Sequence, residues 1–124
     1  MPARVYICDS KDVPSLKKLL EYDPYLDKSL SEEQLAKLKG DAEANVIFAR
    51  QDYKLKDGIS LELDRDKYYL YISATEEFLD NAEKKLKQNI SSVARVDRET
   101  EDKIVNTIEE EQNNSEQGIG FIFS

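Results

Sequence analysis

Histidine is absent from the 124 residues and cysteine occurs once, at Cys8. Without histidine the chain cannot assemble a Ser-His-Asp triad, a Cys-His pair or a histidine-ligated metal of its own. A lone cysteine cannot form an intrachain disulfide, a redox dithiol or a zinc or iron-sulfur cage built from thiolates. Cys8 itself falls in an apolar stretch, where a thiol behaves as a small buried hydrophobe. Glycine is scarce, with four residues, and Gly118-x-Gly120 lacks the third glycine, the preceding strand and the following helix of a dinucleotide-binding turn. No cofactor is expected.

Positive charge is in deficit. Lysine and arginine number 18 against 26 acidic residues, for a formal net charge of -8. The basic residues are interleaved with acids, as in Asp64-Arg65-Asp66-Lys67, so the clustered cations that phosphate binding requires are missing and nucleic acid is not an expected partner. Long apolar runs are missing too: nothing approaches the ~20 residues of a membrane span, and Met1-Pro2-Ala3-Arg4 is not followed by the apolar core of a signal peptide. No membrane partner and a cytoplasmic location are the expectations.

The apolar residues that are present come in short bursts. Residues 4–8, Arg-Val-Tyr-Ile-Cys, read as a strand covered on both faces. Three further bursts, at residues 46–49, 59–63 and 68–72, read as adjacent antiparallel strands. Asp57-Gly58 marks a type I′ hairpin turn between residues 53–56 and 59–62, because both positions of that turn need positive φ. Residues 92–96 add a short strand.

Helical spacing alternates with these bursts. Asp12 is positioned to cap a helix over residues 13–22, which Asp23-Pro24 ends. Ser31 and Gln34 make a capping box for a helix to Lys39, with Gly40 as its stop or Ala42 and Ala44 as a frayed extension. Ser73 and Glu76 form a second box, opening a helix to Asn89 through Phe78, Leu79, Ala82 and Leu86. Asp97 caps a last helix through Ile104, Val105 and Ile108 to Gln112. A polar linker over residues 112–117 then leads to a β-like tail, Phe121-Ile122-Phe123.

The resulting order, β-α-α-β-β-β-α-β-α-β, describes a single α+β domain over residues 1–124, with a mixed or mostly antiparallel sheet and helices mainly on one face. It contains a ferredoxin-like β-α-β-β-α-β skeleton, with a helix inserted after the first helix and further elements appended.

Site candidates are few. Asp57, Glu62, Asp64 and Asp66 cluster in sequence, and carboxylates of this kind can hold a hard cation; the spacing is not that of an EF-hand, and turn acids are the commoner explanation, so no metal is assigned. Tyr69 and Tyr71 share one face of their strand, opposite Leu70 and Ile72; they either pack beneath a helix with their hydroxyls at its edge or face a partner, since aromatic rings of this kind are enriched where proteins bind each other. Phe121 and Phe123 on the terminal strand are the other protein-binding candidates, by return to the sheet or by addition to another molecule's edge. The function expected is a small acidic binding or regulatory module without catalysis of its own, contacting a protein partner or a second copy through a sheet face or the terminal strand. Two readings of other classes stand beside it: a carboxylate-dependent, cation-assisted enzyme acting on a small polar substrate, and an acidic decoy of nucleic acid.

Overall fold

The computed structural model describes residues 2–41 and 46–123, with side chains described through Gln112. Four strands, β1 (Ala3–Asp9), β2 (Asp52–Asp57), β3 (Lys67–Ser73) and β4 (Ala94–Arg95), form one sheet in the order β2-β3-β1-β4, each antiparallel to its neighbours. The fold is α+β. Side chains alternate across β1: Tyr6 and Cys8 enter one core, and Val5 enters another on the opposite face. This is why residues 4–8 are apolar on both sides.

The first face lies beneath α1 (Val13–Glu21) and α3 (Glu76–Asn89), whose Leu16, Leu20, Leu79, Ala82 and Leu86 join Tyr6, Leu70 and Ile72. The second lies beneath α4 (Arg98–Phe123), whose Ile104 and Ile108 meet Val5, Tyr69 and Tyr71. Each such aliphatic side chain, fully buried, contributes about 1.5 to 3 kcal/mol. α1 and α3 fit the expectation of helices on one face, and α4 adds a second layer that the expectation omitted.

Three expected strands are replaced. Residues 46–49 lead into a 3-10 turn at Phe48–Arg50, yet Val46, Ile47 and Phe48 are buried, so the apolar burst records core membership and not a strand of the sheet. Phe48 meets Phe78 edge to face, with ring centroids 6.2 Å apart. Residues 59–63 form part of the connection between β2 and β3. The polar linker and terminal strand expected after Gln112 lie within α4, which continues to Phe123. Glutamate and glutamine extend a helix at little cost, and Ile119, Ile122 and Phe123 recur at helical spacing. The order among the described residues is therefore β-α-α-β-β-α-β-α.

The helix starts separate correct from misplaced caps. In α2 (Glu32–Lys39) both bonds of the capping box are present, from Gln34 N to Ser31 Oγ (3.2 Å) and from Ser31 N to Gln34 Oε1 (2.8 Å). Gly40 is its C-cap; Ala42 and Ala44, the alternative frayed extension, lie outside the described residues. Asp97 caps α4 by accepting from Thr100 N at 3.2 Å. By contrast α3 is capped by Thr75, which accepts from Phe78 N at 3.2 Å, because Ser73 is still paired in β3. Asp12 makes no cap bond; its carboxylate accepts from the Ser92 hydroxyl instead.

The β2–β3 connection is stitched by its own backbone: Gly58 N donates to Lys67 O (2.9 Å) and Leu63 N to Gly58 O (2.7 Å). Gly58 does not adopt positive φ, so the expected type I′ turn is absent. Its glycine is required for another reason: a Cβ there would lie 1.7 Å from the Asp64 carbonyl oxygen. The left-handed residue of this loop is Glu62, at φ 59°. That conformation costs a side-chain-bearing residue roughly 1 kcal/mol. Glu62→Gly should therefore raise stability by up to about 1 kcal/mol, read as a higher Tm in thermal melts; a lower Tm would mean that the Glu62 side chain contributes more than its backbone conformation costs.

Candidate functional site

Tyr69 and Tyr71 are 5% and 3% exposed. Leu70 and Ile72 do enter the α1/α3 core, which turns both tyrosines to the opposite face, but Ile104, Ile108 and Leu61 cover that face. The tyrosine pair expected at a protein-binding surface is thus core packing, and burial raises both hydroxyls above their ordinary pKa. Phe121 and Phe123 have their backbone in α4, and their side chains lie outside the described residues.

The four acids weighed as cation ligands or turn acids serve the β2–β3 connection separately. Asp57 Oδ1 accepts from Ser60 N (2.7 Å), Asp64 Oδ1 accepts from Asp66 N (3.0 Å), and the Asp66 carbonyl accepts from Ser10 N (3.1 Å). The Ser60 bonds hold the Asp57 carboxyl below its ordinary pKa. Glu62 occupies the left-handed position. Among the described residues no three acidic or cysteine side chains gather as a metal cage would require. Cys8 is 3% exposed, and burial, with Asp12 and Asp9 adding, pushes its thiol up to about 11.

The distinctive chemistry lies at the edges of the sheet. β4 has only two residues and pairs with Tyr6 and Ile7 of β1, yet β1 has seven. Extending the same register sets Val5 opposite Val96 and Asp9 opposite Ser92. Val96 N donates to Val5 O at 3.1 Å, but the Val5 N–H does not return to a strand: it donates to Glu101 Oε2 at 3.0 Å. Likewise Asp9 N donates to Ser92 Oγ at 3.0 Å. Two side chains therefore occupy places where a longer β4 would have offered carbonyls, and β1 has no free N–H at Val5 or Asp9.

Glu101 is positioned for this by α4, one turn after the Asp97 cap. It is 7% exposed and is gripped by Arg95, with Nε on Oε2 at 2.9 Å and Nη2 on Oε1 at 2.8 Å. Burial alone would raise its pKa, but the arginine fork and the Val5 N–H outweigh burial and hold the carboxyl below its ordinary value. It is ionised at neutral pH.

The opposite edge is different. Since Val5, Ile7 and Asp9 direct their backbone bonds toward β4, antiparallel alternation turns Arg4, Tyr6 and Cys8 toward β3. Continuing across the pairs of β3 with β1 and β2, Asp52, Lys54 and Lys56 bond inward, and Tyr53, Leu55 and Asp57 point their N–H and C=O groups outward. The inward bond of Gly58 N to Lys67 O fits the same phase. Among the described residues no hydrogen bond meets those outward backbone groups.

A second charged cluster fastens α3 to the sheet. Arg4, 8% exposed, donates to Asp80 at 2.8 Å and Glu76 at 3.0 Å, with Glu83 at 3.8 Å. Tyr6 Oη donates to Glu83 at 3.0 Å. Burial would lower the Arg4 pKa, but its carboxylate partners raise it on balance; burial, reinforced by Glu83, raises that of Tyr6. Sequence reasoning missed Arg4, Ser92 and Glu101. Arg4 alone left a signal, as a charge within an otherwise apolar strand.

Two clefts adjoin these elements. One of about 500 Å³ at the start of α4 is lined by Arg95, Val96, Arg98, Glu101 and Asp102. Another of about 350 Å³ lies beside Leu19, Tyr22 and Ile90. In the first cleft Arg95 is committed to Glu101. Cys8, Tyr6 and Glu101 are each held away from the pKa range that suits proton transfer near neutrality. No family model matches the chain, and neither a curated protein nor a solved structure does so.

Proposed function

We propose that the protein is a small non-catalytic module that binds another protein by accepting an extended segment of it along β2. The observation that carries this reading is the asymmetry of the sheet: the edge opposite β2 is the two-residue β4, beyond whose ends Glu101 and Ser92 take up the Val5 and Asp9 N–H groups of β1, and the outward backbone groups of Tyr53, Leu55 and Asp57 have no partner among the described residues. An edge of this kind gains main-chain hydrogen bonds when a strand is added. Both faces of β3 are covered, so contact through the face that holds the tyrosines would first require a helix to leave. The element order of residues 3–95, with β3 between β1 and β2, supports reading that part as an elaborated ferredoxin-like core with α2 inserted and α4 appended.

The test is a proline at an outward position. Leu55→Pro deletes an N–H that bonds to nothing within the fold, and proline is tolerated on edge strands when its missing donor faces out. Leu55→Val retains the N–H. A protein partner isolated with the wild-type chain should be retained by Leu55→Val and lost by a folded Leu55→Pro. Equal retention by both would contradict strand addition at β2.

A further inference from the structure

We infer that the segment received by β2 alternates acidic with apolar side chains. The inference rests on the proposed strand addition and specifies its partner. Along β2 the two faces differ: Tyr53 and Leu55 turn toward the α1/α3 core, where they are partly buried against it, and Lys54 and Lys56 turn toward the α4 side. A strand added outside β2 continues the same two faces. Side chains beside Tyr53 and Leu55 extend an apolar surface, and side chains beside Lys54 and Lys56 meet the exposed ammonium of Lys54 and that of Lys56, which Glu111 already pairs, with Asp52 at the end of the same face.

Opposite-charge pairs across neighbouring strands are favourable, and like charges in direct opposition are unfavourable. Lys54 is exposed, and Lys56 reaches Glu111 of α4 at 3.1 Å, so this face already accommodates a carboxylate against β2. The same lysines disfavour one form of pairing with a second copy. With Tyr53, Leu55 and Asp57 required to bond outward, one of the two fullest antiparallel registers of β2 with itself places Lys54 against Lys56 twice, and the other places Lys54 against Lys54 but sets Asp52 against Lys56. Edge lysines of this kind protect against self-pairing. Here they also select the partner by charge, in a chain whose net charge of -8 otherwise repels acidic segments.

The experiment uses the full chain and three blocked hexapeptides, in which valine alternates with glutamate, serine or lysine. Binding is followed by NMR titration and by amide exchange at Tyr53, Leu55 and Asp57. The glutamate peptide should protect those amides and bind at least tenfold more tightly than the serine peptide, with the lysine peptide weakest, and the preference should shrink as salt is raised. Equal protection by the glutamate and serine peptides would overturn the acidic preference and leave strand addition standing. No protection of the three amides by any peptide, or shifts confined to another surface, would overturn both. As a further check, Lys54→Glu with Lys56→Glu should reverse the order of the glutamate and lysine peptides; an unchanged order would overturn the charge argument.

Discussion

Gly58→Ala should cost the fold about 3 kcal/mol, the upper part of the range for overpacking a filled site. The added methyl would sit 1.7 Å from the Asp64 carbonyl oxygen and within 3.2 Å of the Lys67 carbonyl. Both obstacles are backbone, so no side-chain rotation relieves them. Relief requires the β2–β3 connection to move, and with it the Gly58–Lys67 and Leu63–Gly58 hydrogen bonds and the buried Leu61. For a chain of this length the expected fall in Tm is on the order of 10 °C. Chemical denaturation would measure the free energy directly. A loss under about 0.5 kcal/mol, the scale of an ordinary surface substitution, would show that Asp64 does not approach Gly58 as closely as described.

Glu101→Ala should be nearly as damaging, at about 3 kcal/mol, because it removes charge-assisted bonds to Arg95 and leaves the Val5 N–H without an acceptor. The Arg95 side chain is 43% exposed and can rehydrate, which keeps the loss at the lower end of the range for breaking a buried pair. Glu101→Gln retains an acceptor oxygen for Val5 and should lose less. The two variants also differ in their pH dependence. The folded-state pKa of Glu101 lies below its ordinary value of 4.5, so its contribution is complete above that value and is lost as pH falls through the folded pKa. Denaturation of wild type and Glu101→Gln from pH 6 downward should therefore converge in acid. Parallel curves across the whole range would show that Glu101 is not held ionised by the fold.

Much of this architecture was legible from periodicity and local chemistry. The capping box at Ser31 and Gln34, the Asp97 cap, the helix ending at Asn89 and the two-sided burial of β1 all follow from signals that act over a few residues. Two misplacements share a cause: an apolar burst reports burial, not backbone conformation. Val46, Ile47 and Phe48 are core residues approaching a 3-10 turn, and Leu61 reaches the second core from a loop. The sequence of α4 misled in the opposite way, since its glycines and its phenylalanines suit an extended tail and only the continuous helix unites them.

The candidate site was less legible, for a reason that Val5 and Glu101 illustrate. Their bond joins positions 96 residues apart, and nothing in the local sequence of either records it. Ser92 reads as an ordinary turn residue until its hydroxyl is seen between Asp9 N and the Asp12 carboxylate. The open edge was equally hidden. Which residues of β2 bond outward depends on the register of all four strands, and shifting one strand by a single residue would reverse the assignment.

Residue-resolved amide hydrogen exchange on the isolated protein tests the asymmetry of the two edges most directly. Val5 and Asp9 should be protected although no strand lies opposite their N–H groups, and Lys54 and Lys56 should be protected by β3. Tyr53, Leu55 and Asp57, alternating with them, should exchange much faster. Protection of Tyr53 and Leu55 equal to that of Lys54, or rapid exchange at Val5, would contradict a β1 whose N–H groups are satisfied by side chains beyond the ends of β4 and an edge that is open at β2.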